Sequence, residues 1–316
     1  MKTWSSTTTP GNRHDPAHPA RPLSHRLRAV FIALLIPLLG PATASWSAAP
    51  EEGKVRPFRS LTVSPPGPQP VLGERLEFEG RWLIFPVGHG WLEVKELVEI
   101  NGRQAYHIEA HGYSNDVLST ICPIHDVVHS YLDAETLRPL RFEKYQHEGR
   151  YHSEEIVTFD DPAHIATYRS LKHPNDPPKQ IPLPAQFQDL ISTLYWFRGQ
   201  PLTPNSTMSL DIYTDEKIYQ TAILIGQPMI LELLKRGAFP CLMVEPKASF
   251  KGLLVRRARI WAYLTADQHR LPLLIKATTP WGPMSAVISE ASLDRILKRK
   301  KRIRPSAAIH PEGQPS

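Results

Sequence analysis

Three short clusters in the chain carry residue types that could do chemistry. His107-Ile108-Glu109-Ala110-His111 offers two imidazoles and a carboxylate at alternate positions, a donor set that suits a transition metal. His125 and Asp126, with His129 and Asp133 close behind, offer the imidazole and carboxylate pairs of general acid–base catalysis. Cys122-Pro123-Ile124-His125 sets a thiol near an imidazole, as a nucleophilic pair requires. Spacing counts against each. On a strand, residues i and i+4 lie about 13 Å apart, whereas zinc needs its nitrogens about 2 Å from one point. His107 and His111 therefore do not share an ion, and Val127, Val128 and Tyr131 favour the same strand geometry for His125 and His129. The thiol lacks a visible third group to orient its imidazole. The expectation is a solvated strand face with no catalytic residue, no metal ligand and no cofactor. The alternative is a hydrolase using His125, Asp126 and Asp133, or a metal held at His107 and Glu109. Cys122 and Cys241 are the only cysteines, so they are two buried thiols or one disulfide worth about 2 to 4 kcal/mol.

The elements that would position these groups are mostly strands. Leu76, Phe78, Trp82 and Ile84 alternate with Glu77, Glu79, Arg81 and Leu83, which predicts one buried face. Beyond the PVGHG of residues 86–90, Leu92, Val94, Val98 and Ile100 share a face, and Asn101-Gly102 is the pair favoured in a two-residue hairpin. Tyr106, Ile108 and Ala110 return on the matching side. Further strands are predicted near 127–132, 140–147, 151–159 and 165–169, and again through 208–212, 219–225, 229–234, 241–245, 257–264, 271–278 and 284–289. Between the two blocks, residues 184–201 (PAQFQDLISTLYWFRGQP) read as an amphipathic helix with Phe187, Leu190, Ile191, Leu194 and Phe197 on one stripe. Connections this short leave no room for helical crossovers, so the predicted fold is mainly β. It is a large, curved, all-antiparallel sheet, a half-barrel or a closed barrel, with this one central helix packed on it. A two-sheet β-sandwich is the alternative.

Charge and composition place the ends apart from the body. The formal charge is +6, but residues 1–44 hold five basic side chains against one acid and residues 295–316 hold seven against one, so the body is acidic and a nucleic-acid partner is not expected. Residues 29–40 form an apolar run too short for a membrane span, followed by Ala42-Thr43-Ala44, a small-x-small cleavage site. The predicted organisation is a signal peptide over 1–44, a proline-rich disordered spacer over 45–70, one β-rich domain over 71–291 and a basic, mostly disordered tail over 292–316. Export to a bacterial periplasm follows, with anchoring in the inner membrane by an uncleaved signal as the alternative.

Trp82, Trp91, Tyr195, Trp196, Trp261 and Trp281 either fill the core or line a ligand cleft between helix and sheet. Arg256, Arg257 and Arg259 are a basic strand face. Lys298, Arg299, Lys300, Lys301 and Arg302 in the tail would be drawn to an anionic membrane or lipopolysaccharide surface.

Three places resemble one family of bacterial exported proteins, domain of unknown function 3108. Gly73-Glu74-Arg75-Leu76-Glu77-Phe78 with Val87-Gly88 and Leu92 is similar to its opening strand pair, although the family typically has Tyr at the position of Phe78. Asp189, Leu190, Ser192, Tyr195, Arg198 and Leu202 resemble its central segment. Ile260-Trp261, Asp267, Arg270-Leu271-Pro272 and Trp281-Gly282 resemble its closing strands. The resemblance implies a secreted β-rich domain and brings no activity or catalytic residues. By looser analogy such folds are similar to the curved sheets of periplasmic lipoprotein carriers. The function expected on these grounds is non-catalytic binding of a lipid or envelope component on the concave face of the sheet; a structural adaptor of an envelope complex is a further alternative.

Overall fold

Period-two alternation of apolar and polar residues generates a meander of long strands. The protein is described by a computed structural model over residues 53–58, 63–67, 70–234, 236–248, 259–279 and 282–303, with 248, 279 and 297–303 described by backbone alone. In the first half, β1 (Gly53–Pro57) is followed by β2 (Arg75–Trp82), β3 (Phe85–Ile100), β4 (Arg103–Ser114), the single turn of α1 (Asp116–Ser119), β5 (Ile124–Asp133), β6 (Pro139–Glu148), β7 (Tyr151–Asp160), β8 (Ile165–Ser170) and β9 (Lys179–Pro182). The second half holds β10 (Phe187–Asp189), α2 (Ser192–Arg198), β11 (Ser206–Thr214), β12 (Lys217–Leu233), β13 (Gly237–Ala248), β14 (Arg259–Thr265), β15 (Pro272–Thr279), β16 (Gly282–Ile288) and α3 (Glu290–Ile303).

All strands join one sheet in the order β10-β11-β12-β13-β14-β15-β16-β2-β3-β4-β5-β6-β7-β8-β9, with β1 added to β12. The pairing of β16 with β2 fuses the two predicted blocks, so there is no two-sheet sandwich. The end strands β9 and β10 follow one another in the chain but do not pair, so the sheet is open rather than a closed barrel. It is strongly curved: Phe142 and Phe159 from one limb pack on Tyr213 and Phe187 from the other. The Asn101-Gly102 hairpin forms as predicted, both residues at positive φ (51° and 77°).

Four expectations need correction. Residues 86–90 lie inside β3, and the chain reverses earlier, where Leu83 takes a φ of 56°. The helix over 184–201 is shorter. Phe187 to Asp189 are extended, pairing in parallel with β11, and the Asp189 carboxylate accepts the Ile191 and Ser192 N–H groups at 2.8 and 2.7 Å, so the first helical turn forms only beyond it. The sheet is thus not antiparallel throughout, because α2 and the segment after it supply the crossover that a parallel pair needs. Finally, two stretches taken as disordered are ordered in part. Residues 53–57 of the spacer are β1, held by β12, and the tail begins as α3, whose Ser292 hydroxyl accepts the Glu77 N–H at 2.8 Å and whose Leu293 is buried.

α2, through Tyr195, and α3, through Leu293, both pack on the main apolar core. Residues 63–67 run along the β14–β15 loop, with Ser64 N–H to Ala266 O and Gly67 N–H to Gln268 O at 3.0 Å each. No helix among the described residues is long and apolar enough to cross a membrane. The predicted signal peptide lies outside the described residues, as do Trp281, Arg256 and Arg257.

Candidate functional site

Strand alternation assigns each cluster to one face. On β5, Ile124, Asp126, Val128, Ser130 and Leu132 point into the curve and are buried, while His125, Val127, His129 and Tyr131 point outward. His125 and Asp126 therefore face opposite ways, and Asp133 is used in a turn, accepting from Thr136 and pairing with Arg103 at 2.8 Å. The acid–base set of a hydrolase is not assembled.

The outer face of β3 to β7 instead carries seven histidines: His89, His107, His111, His125, His129, His147 and His152. His107 Nε2 lies 3.0 Å from His129 Nδ1, and its ring stacks on Tyr131. His111 Nε2 lies 2.6 Å from Glu109 Oε1 and stacks on Trp91. Burial, and then the neighbouring His107, lower the pKa of His129. At Glu109 burial works upward, but hydrogen bonds from His111 and Lys95 outweigh it and the pKa falls. Among the described residues, no three His, Cys, Asp or Glu side chains converge as metal ligands. His107 and Glu109 have other partners.

Of the aromatic residues expected to line a cleft, Trp91 borders the cavity described below and the other described ones do not. Trp82 is exposed, Trp91 stacks on the outer face beneath Arg75, whose Cζ is 4.0 Å from the ring, and Trp261 donates to Tyr263 Oη at 3.1 Å. Trp196 packs in a satellite cluster with Phe197, and Tyr195 is wholly buried beside Arg198. Arg259 forms a two-point ion pair with Glu245 at 2.6 and 2.7 Å. The side chains of Lys298 to Arg302 lie outside the described residues. Cys122, in the turn before β5, and Cys241, buried in β13, are not joined by a disulfide. Burial pushes the Cys241 thiol up to about 12, which makes it inert.

What the inner face does contain is an apolar cavity of about 230 Å³. Its wall is the part of β2, β3 and β4 where the inward positions are glycine or alanine. Gly80 is opposite Gly88 and Gly90 opposite Gly112, with Ala110 and Ala286 alongside. With no side chains there, the space stays open. A Cβ on Gly88 would meet Tyr113 O at 2.0 Å and one on Gly90 would meet His111 O at 2.6 Å, so the backbone itself excludes side chains at these two positions. Leu190, Ile191 and Leu194 form the opposite wall, with Ile260, Pro272 and Ile275 at the side. A second hollow of about 250 Å³ lies beneath α3, against Phe239, Leu271, Leu293 and Ile296.

The wall at Leu190 to Leu194 is anchored at both ends by buried polar groups. Ser130 donates to Asp189 Oδ2 at 2.6 Å. Arg198 donates Nη1 and Nη2 to the two Glu74 oxygens at 2.7 and 2.8 Å, and Nε to His269 O at 3.1 Å. Sequence reasoning missed these roles, and also the inward Lys144, which sits 3.3 Å from Glu155 and 3.4 Å from Asp215. The available signal was the set of small residues at inward positions of three consecutive strands.

No curated protein matches the chain. Among solved structures it is similar to a β-barrel-like protein of domain of unknown function DUF1849 from Brucella abortus, with 10% identity, a TM-score of 0.47, and coverage of 68% of this chain and 94% of that one. Residues 77–289, which run from β2 to the end of β16, match the family model described as protein of unknown function (DUF3108), and the chain belongs to that family.

Proposed function

We propose that this protein is exported and that it binds the apolar part of a lipid-like envelope component inside the curved sheet, without catalysing a reaction on it. The observation that carries the reading is the interior cavity, with its glycine and alanine wall facing Leu190, Ile191 and Leu194. Ligand pockets are typically about 300 to 1,000 Å³, so a space of about 230 Å³ suits one hydrocarbon chain rather than a whole lipid. Export rests on the apolar run at 29–40 and the Ala-x-Ala site, and contact with an anionic membrane or lipopolysaccharide surface rests on the basic residues 298–302.

The test has two arms. Protein purified from cell envelopes should begin at Ser45 and carry bound lipid in native mass spectrometry. A neutral apolar fluorophore such as N-phenylnaphthylamine should bind the emptied protein, and Ala110→Leu or Ala286→Leu should weaken it at least tenfold by filling the cavity. Empty preparations together with unchanged fluorophore binding in both variants would refute the cavity as the site.

A further inference from the structure

The cavity is apolar except at one pole, and that pole is rich in hydrogen-bond acceptors. Asp126 is the carboxylate on its lining, which contains neither Lys nor Arg; His89, His111 and Tyr113 also border it, at strand positions whose side chains point outward. Gln146 is opposite Asp126 in register and Glu148 is opposite Ile124, so all three side chains reach the inner face at neighbouring positions. Asp126 Oδ1 accepts the His147 N–H at 3.0 Å, and its carboxyl also hydrogen-bonds Gln146 and Glu148. Gln146 Nε2 donates to Glu148 Oε1 at 3.1 Å. Gln146 is wholly buried, yet its Oε1 has no partner among the described residues. Five side-chain oxygens, two each from Asp126 and Glu148 and one from Gln146, thus gather on neighbouring inward positions. Lys144, two residues along β6, is engaged by Glu155 and Asp215. Burial pushes the Asp126 carboxyl above its ordinary range, against the hydrogen bonds at His147, Glu148 and Gln146 and the charge of Lys144.

Resting on the cavity reading above, we propose that the occupant is a single apolar chain whose polar end is a hydrogen-bond donor, an amine above all, seated against Asp126, Gln146 and Glu148. An ammonium brings three N–H donors and a compensating charge to this pole, and a hydroxyl brings one donor. A carboxylate or phosphate would bring a further desolvated anion, which is costly without a cation to pair it. A cavity of about 150 Å³ holds the six carbons of benzene, so 230 Å³ scales to a tail of about nine.

The probes are n-octylamine, 1-octanol and octanoate, which share one tail, titrated calorimetrically into the purified protein at pH 7.5 and 0.3 M salt to screen surface charge. Octylamine should bind at least tenfold more tightly than octanoate, with octanol between. Asp126→Asn keeps an acceptor for the His147 N–H, and it should weaken octylamine about tenfold while leaving octanol within twofold. Gln146→Leu, which removes the unpartnered oxygen, should also narrow the gap between amine and acid. Octanoate binding as tightly as octylamine overturns the head-group assignment while the cavity stands, as does an amine preference that survives both substitutions. Failure of all three probes removes the cavity reading and this assignment together.

Discussion

The buried pair Glu74–Arg198 ties the inner wall of the cavity to the frame, and its removal is the perturbation with the largest calculable effect. Arg198 closes α2, Glu74 leads into β2 and His269 belongs to the β14–β15 loop, so one guanidinium joins three parts of the chain. Arg198 is 0% exposed and Glu74 8%. Glu74→Leu leaves a desolvated cation with one neutral carbonyl as acceptor, and stranding a buried charge in this way costs about 3–5 kcal/mol. Arg198→Met strands the carboxylate instead, at a similar cost. The double variant Glu74→Leu/Arg198→Met strands neither, and apolar replacement of a whole buried pair is often neutral or better, so it should fall within about 2 kcal/mol of the wild type. The cycle should then show a coupling of at least about 2 kcal/mol. Urea unfolding followed by tryptophan fluorescence measures all four corners, with unchanged slopes required for the comparison. Single variants costing under about 1 kcal/mol, or a double variant equal to the sum of the singles, would show that the pair is solvated or dispensable and refute the reasoning.

Two other buried groups give sharper, smaller tests. Burial pushes the Asp189 carboxyl up to about 6, against the hydrogen bonds from Ser130, Ser192 and Ile191. An unfolded aspartate titrates near about 3.9, so this contribution is fully present below about pH 4 and is lost as pH rises through about 6, a swing of about 3 kcal/mol. Asp189→Asn stays neutral, and the wild-type-minus-variant difference in urea stability should slope over that window; a flat difference from pH 4 to 7 would show an ordinary carboxyl. Tyr195 is wholly buried and its hydroxyl has no partner among the described residues, so Tyr195→Phe should raise stability by about 1 kcal/mol in thermal melts, whereas a loss of that size would reveal a hydrogen bond.

Where one face of a strand is buried, the alternation in the sequence is enough to locate it. Leu76 and Phe78 on β2 and Leu92 and Val94 on β3 lie on the inner side, with Glu77, Glu79, Trp91 and Glu93 on the other. The same rule hides the site, because it reads polar residues as solvent-facing. Asp126, Ser130, Lys144 and Glu155 point inward; Ser130 meets Asp189 of β10 and Lys144 meets Asp215 beyond β11, contacts that no local pattern displays. Glycine and proline misled for a related reason. PVGHG reads as a break, yet Gly88 and Gly90 are there because β4's backbone leaves no room for a Cβ. The helical stripe from Phe187 to Phe197 was legible as apolar spacing, but the Asp189 carboxylate decides where helix begins, and its hydrogen bonds to Ile191 and Ser192 confine Phe187 to a strand.

These polar interior groups and the apolar cavity belong to one arrangement. A sheet this curved encloses space that side chains must fill or leave open, and at Gly80, Gly88, Gly90 and Gly112 there is nothing to fill it. A space left open needs a wall that does not collapse into it. Leu190, Ile191 and Leu194 form that wall in a segment too short to be stable as an isolated helix. It is held off the glycine floor by its two ends: Asp189 bonded to Ser130 of β5, and Arg198 bonded to Glu74 before β2. Apolar contacts alone would favour closing the gap, since they are non-directional and gain from every carbon brought together. Directional bonds at fixed points resist that closure, which explains why charged residues stand inside an otherwise hydrophobic sheet on both sides of its cavity.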